Sequence, residues 1–141
     1  MQTQPVRLTP GSDLRDALES VLERHGCRAA FVVAGIGSLQ RARIRLAGRA
    51  EPDEIEGDLE ILTLAGTLGP DGAHLHMSLA DPSGRVVGGH VGPGCIVRTT
   101  AEVLVALLPD WSFAREPDAA TGYDELVVRV SPRREQASGR P

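Results

Sequence analysis

The pentapeptide Asp81-Pro82-Ser83-Gly84-Arg85 is built to reverse the chain. Asp opens a type I turn, Pro follows with its fixed φ, Ser sits third, and Gly takes the left-handed position of a G1 bulge. A three-residue loop of this kind sets Asp81 across from Arg85 and, further along the ladder, His76 across from His90. The flanking residues support that register. Leu75, Met77 and Leu79 then share one face with Val87, Gly89 and Val91, an apolar face that belongs against a core. His74, His76 and His90 project together from the other face, with His74 and His76 about 7 Å apart along the strand. A four-residue loop would reverse the parity of His90 and bury it among leucines.

A hairpin needs a sheet around it, and the composition supplies one. Aromatic residues are scarce, at two Phe, one Trp and one Tyr. The core is therefore made of Val, Leu, Ile and Ala, with β-branched residues in short runs, which favours a sheet-rich fold. At 141 residues, 41% hydrophobic and 24% charged, the chain fits one domain that buries its own core. Its formal charge is −4 and every basic residue is Arg. A protein that neutralises phosphates normally shows a basic balance or patch, and the body of this chain shows neither. Cys27 and Cys95 are far apart and match no CxxC pattern, so they read as reduced, mostly buried thiols of a cytoplasmic protein. The N-terminus lacks an apolar run and no stretch approaches the ~18 residues of a membrane span. The expectation is a soluble, cytoplasmic protein with no membrane contact.

Along the chain, Pro5 to Thr9 is expected as a short edge strand. Ser12 is expected to cap a helix whose positive end also favours Asp13 and Asp16. Leu14, Ala17, Leu18, Val21 and Leu22 form its apolar stripe, and Gly26 ends it. His25 falls in the last turn and away from the other histidines. Ala29 to Ala34 predicts a buried strand interrupted at Gly35-Ile36-Gly37-Ser38, with a second, half-exposed strand over Arg41 to Leu46. Position 40 is Gln, so these glycines do not extend to a dinucleotide-binding GxGxxG; they suit a tight turn or a close approach at a subunit contact. Ala50 to Asp58 is acidic and turn-rich and reads as a surface loop. Strands are predicted over Leu59 to Leu68, Ala73 to Ala80, Arg85 to Val91, Cys95 to Leu108, whose tail also scores as a short helix, and Leu126 to Val130, with a turn at Gly69 to Gly72. Residues 131–141 have the composition of a disordered tail, which leaves a single domain over 5–130.

Three neutral imidazoles on one face suit zinc or another divalent transition metal and leave a coordination position for water or substrate. The same spacing also suits imidazoles that merely hydrogen-bond one another and solvent, and spacing alone does not choose. Gly88 and Gly89 beside His90 leave room for a ligand or another chain. Glu102 interrupts an otherwise apolar strand, which makes it the candidate to orient a histidine or act as a base. Ser78 shares the histidine face and is a candidate contact for a small-molecule ligand.

A family resemblance enters on several stretches in order. They are Gly35-Ile36-Gly37-Ser38, residues 59–68 (LEILTLAGTL), residues 74–81 (HLHMSLAD), residues 84–90 (GRVVGGH), residues 99–103 (TTAEV) and residues 121–126 (TGYDEL). Together they span nearly the whole chain and resemble the PPC domain, the plant and prokaryote conserved domain shared with plant AT-hook nuclear proteins. The resemblance implies an α/β domain of α+β type, a strongly bent, largely antiparallel sheet packed on one main helix, assembled as a homotrimer. It also implies a metal at the positions held here by His74, His76 and His90. A more distant fold similarity, to acetolactate decarboxylase with its three-histidine zinc site, points the same way but licenses no particular reaction.

Three functions follow as expectations. The first is a stand-alone, DNA-binding or DNA-associated regulatory trimer that carries the metal. The plant proteins hold DNA through an Arg-Gly-Arg-Pro hook; here Ser138-Gly139-Arg140-Pro141 lacks its first arginine, and Glu135 follows Arg133-Arg134. An acidic body without the hook favours a DNA-bound partner protein over direct contact. The second is a metal-dependent enzyme acting on a small molecule, for which no motif positions a nucleophile. The third is a trimeric scaffold with a structural metal.

Overall fold

The computed structural model describes residues 1–131. Eight strands and one helix run in the order β1 (Gln2–Leu8), α1 (Leu14–His25), β2 (Ala30–Arg45), β3 (Asp53–Gly69), β4 (Gly72–Ala80), β5 (Val86–Val91), β6 (Ile96–Leu107), β7 (Trp111–Pro117) and β8 (Asp124–Val130). The first six strands form one antiparallel sheet in the order β1-β6-β2-β3-β4-β5, and β5 also pairs back onto the end of β2. β7 and β8 form a separate ribbon. This is an α+β domain with a bent antiparallel sheet on one helix.

The bend has a physical origin in strand length. β2 has 16 residues, which would reach roughly 50 Å if straight at about 3.3 Å per residue. A domain of this size has a radius of gyration near ~14 Å. The strand must therefore curl, and register shifts at Leu39/Arg41 with β3 and at three places with β6 let it do so. Curling brings the far end of β2 to β5, where Ile44 pairs with Val91 and Arg45 with His90.

Continuity of β2 corrects two expectations. Gly35 to Ser38 is not a turn between strands but the middle of one. A side chain at Gly37 would run into the backbone of Thr100 and Ala101 on β6, so this glycine permits close approach within the chain. Nor is Ala50 to Asp58 all loop: β3 begins at Asp53, and Glu54 and Glu56 pair with Arg43 and Arg41 of β2. The carboxylates that made the segment look like a solvated loop face arginines across the ladder, where opposite charges favour pairing. Trp111 to Pro117, assigned no element from its sequence, is strand β7; its Phe113 packs edge-on against Phe31 with centroids 5.6 Å apart.

The helix is as its periodicity predicts, with Leu14, Leu18, Val21 and Leu22 buried and Gly26 closing it in the left-handed conformation. Its cap is Asp13 rather than Ser12. One Asp13 carboxylate oxygen accepts from the backbone N–H groups of Arg15 and Asp16, and the other accepts from Gly94 N–H at 2.7 Å. A hydroxyl cannot make both sets of bonds, which is why the neighbouring aspartate takes the position. The core between helix and sheet includes Leu39, Ile44, Leu64, Leu68, Leu75, Leu79, Val91 and Leu107, all essentially without exposed surface. Each contributes about 1.5–3 kcal/mol by burial.

Cys95 is buried and Cys27 is half-buried, and both are free thiols. Among the described residues no helix is long and apolar enough to cross a membrane. Arg133, Arg134, the Ser138 to Pro141 segment and the expected disordered tail beyond Ser131 lie outside the described residues.

Candidate metal centre

The hairpin that carries the histidines forms in the register its turn chemistry predicts. Asp81 N–H donates to the Arg85 carbonyl at 2.9 Å, Gly84 N–H donates to the Asp81 carbonyl at 2.9 Å, and Gly84 has φ +81°. The Asp81 carboxylate accepts from the Ser83 and Arg85 backbone and from both their side chains. Chiefly through the Ser83 hydroxyl, these donors hold its pKa down at about 2. Downstream of this loop His76 pairs with His90, Met77 with Gly89 and Leu79 with Val87. Leu75, Met77, Leu79 and Val91 point into the core.

On the opposite face His74, His76 and His90 converge. Their ring centroids lie 5.0 to 5.7 Å apart, and one ligand-capable nitrogen from each lies within 4.8 Å of the other two. The Nε2 atoms of His74 and His76 are 3.2 Å apart. Two nitrogens bound tetrahedrally at about 2.0–2.1 Å from zinc would be roughly 3.3 Å apart. His90 Nδ1 is buried and has no hydrogen-bond partner, an unmet polar atom of the kind a metal or ligand resolves. The residues present therefore fit a divalent metal. His76 is exposed while His74 and His90 are half-buried, so the cluster opens to solvent on the His76 side.

The electrostatics favour the neutral, ligating form of His74 and His90. Burial first, then the positive charge of Arg115 and the neighbouring His76, lower the pKa of His74 below its ordinary value, against an opposing pull from Glu125. Burial, then His74, Arg45 and Arg15, push His90 down to about 4.

The helix anchors both strands beneath the cluster. The Glu19 carboxylate accepts from Ala73 N–H at 2.9 Å, one residue before His74, and from Arg15 Nε at 2.9 Å. Arg15 in turn donates to the carbonyl of Val91 at 3.1 Å, one residue after His90. One ion pair thus ties together the start of β4 and the end of β5.

Other residues singled out from the sequence fall differently. Glu102 is exposed on β6, opposite Arg7 of β1 and Ile36 of β2. Two strands, β2 and β3, separate β6 from β4, and among the described residues Glu102 makes no hydrogen bond to a histidine. Glu125 of β8 exerts a Coulombic pull on His74 that is smaller than the effects of burial, Arg115 and His76. Ser78 bonds Thr63 through their hydroxyls at 2.7 Å. His25 is apart from the cluster, with Nδ1 on the Val21 carbonyl and Nε2 on Gln4. Gly88 and Gly89 do not open ligand space: a side chain at Gly88 would press on the Met77 carbonyl and one at Gly89 on the Arg45 carbonyl, so both let strands approach.

Comparison with known proteins agrees with this fold. Residues 1–109 match the model of the Plants and Prokaryotes Conserved (PCC) domain. A bifunctional protein GlmU from Synechococcus sp. (strain JA-2-3B'a(2-13)) is 44% identical over 129 residues, which is 92% of this chain and 20% of that protein. The chain thus spans about a fifth of the length of the curated relatives it matches. Among solved structures, a hypothetical protein from Salmonella cholerae-suis (Salmonella enterica) superposes with a TM-score of 0.88 at 38% identity, covering 92% of this chain and 94% of that one. The metal-containing protein AF0104 from Archaeoglobus fulgidus has a TM-score of 0.72 at 28% identity, covering 90% and 94%. A Bacteroides thetaiotaomicron protein described provisionally as DNA-binding has a TM-score of 0.78, covers 89% and 91%, and at 17% identity is a likeness of fold. Since the family model covers most of the chain, this chain belongs to the Plants and Prokaryotes Conserved (PCC) domain family.

Proposed function

We propose that this domain binds zinc, or a related divalent transition metal, through His74, His76 and His90, and that the metal's remaining position takes a small molecule. The observation that carries the reading is the convergence of three imidazole nitrogens within 4.8 Å, with a buried nitrogen of His90 unpartnered. The metal-containing description of the Archaeoglobus relative supports it. Bound there, the metal would supply a Lewis acid that polarises an oxygen of its ligand. The protein's own part is to hold three imidazoles in place through the Asp81 to Arg85 turn and the Arg15–Glu19 anchor. Elemental analysis of protein purified without chelator or nickel resin tests the reading. About one equivalent of metal, lost in His76→Ala and His90→Ala, is expected; protein that is metal-free and refuses added zinc would reject it.

The assembly we infer is a homotrimer. Val33, Ile36, Leu62 and Leu104 are 38–58% exposed on the adjacent strands β6, β2 and β3, an apolar surface of the kind that self-association covers. Light scattering is expected to give three times the chain mass. DNA association in this reading runs through a partner, because the chain is acidic, with a formal charge of −4. A mobility shift with bare DNA at low salt that weakens steeply as salt rises would contradict it.

A further inference from the structure

Two arginines lie close to the histidine cluster, one beside His90 and one beside the register partner of His74. Arg45 is the register partner of His90 where β5 closes onto β2, and residues paired in this way carry their side chains on one face with Cβ atoms about 4.5–5.5 Å apart. Arg115, on β7, donates from a terminal guanidinium nitrogen to the Thr67 hydroxyl at 3.1 Å, and Thr67 is the register partner of His74. A cleft lined in part by Thr67, Asp71, Gly72, Phe113, Arg115 and Leu126 opens on that side.

Both arginines are half-buried, yet among the described residues neither has a carboxylate within ion-pair distance. Among the described residues the hydrogen bond of the Arg45 side chain is to the Arg49 carbonyl, at 3.4 Å. Asp71, which lines the same cleft, accepts from the backbone N–H of Arg115 at 2.9 Å and forms no ion pair with its guanidinium. Three neutral imidazoles would leave a bound dication's charge uncancelled. A dication and two guanidiniums carry more positive charge than Asp71 and Glu125 cancel, and desolvated positive charge is unfavourable until an anion arrives.

We propose that the ligand of this site is a small oxyanion, a carboxylate or a phosphate group, which places one oxygen on the metal and pairs its remaining charge with Arg115 and Arg45. The planar guanidinium fork suits both anions, since each offers two oxygens at matching spacing. The proposal rests on the metal reading above.

The test uses the full chain loaded with cobalt(II), whose visible absorption reports changes at the metal. Acetate, inorganic phosphate and neutral imidazole are titrated separately. Saturable spectral changes are expected with imidazole and with at least one of the two anions, and the tighter anion identifies the ligand's class. Arg115→Gln and Arg45→Gln should each weaken that anion at least tenfold while cobalt stoichiometry and imidazole affinity stay as in the parent. If Arg115→Gln does not fold, Arg45→Gln decides. Failure to take up cobalt overturns the metal reading and the anion site with it. Uptake of cobalt with no response to either anion, or with anion affinities unmoved in the variants, overturns the anion site alone.

Discussion

His76 stands directly across the β4–β5 ladder from His90, with ring centroids 5.7 Å apart. That pairing is a consequence of the three-residue loop ending in Gly84, and one residue more in the loop would turn His90 inward.

Two glycine substitutions separate the turn from the closure. Gly84→Ala meets nothing within 4 Å, so its cost is the φ of +81° alone, about 1 kcal/mol. The variant should fold and keep its metal stoichiometry. In Gly89→Ala the new Cβ would lie 2.6 Å from the Arg45 carbonyl oxygen and 3.0 Å from Ile44. Relief requires β5 to move off β2, at about 1–3 kcal/mol, and His90 moves with it. Thermal melts and zinc titrations of the two variants should show stability lost in both and zinc affinity lost chiefly in Gly89→Ala.

Removing the helix anchor should loosen both histidine strands. Glu19→Ala leaves Ala73 N–H without its acceptor and Arg15 without its ion pair. The expected loss is about 1–2 kcal/mol in denaturant unfolding. Amide exchange should quicken at Ala73 and His74, whereas exchange in β7 should be unchanged.

Acid should weaken the metal-free protein earlier than its carboxylates alone would. The folded pKa of His90 is about 4, and that of His74 is also lowered, both from an unfolded value of 6.5. Between these limits the unfolded chain binds more protons, so stability present above pH 6.5 is lost as pH falls toward 4. The melting temperature should fall across that window, less steeply in His90→Asn. Saturating zinc should raise the melting temperature near neutral pH and lose that effect on acidification.

Much of this site is legible in the sequence because its determinants are local. A turn of defined chemistry and two alternating apolar runs place three histidines on one face without reference to the rest of the fold. The helix is legible for the same reason. The lengths of β2 and β3 are not, since Gly35 and Gly37 resemble a turn until β6 is known to lie against them, and Glu54 and Glu56 look solvated until Arg43 and Arg41 face them. The separation of Glu102 from the histidines is hidden for a similar reason: strand order puts β2 and β3 between β6 and β4, which sequence periodicity does not encode. Arg45 comes to His90 only because β5 closes onto β2.

The most direct measurement of the central claim is the X-ray absorption fine structure at the zinc edge of the protein loaded with one equivalent of zinc. Three imidazole nitrogens at about 2.0–2.1 Å, with a further light-atom ligand and no sulfur, are predicted, falling to two imidazoles or no binding in His90→Ala. A shell that contains sulfur, or one with a single imidazole in the parent protein, would contradict the assignment of His74, His76 and His90 as the metal's ligands.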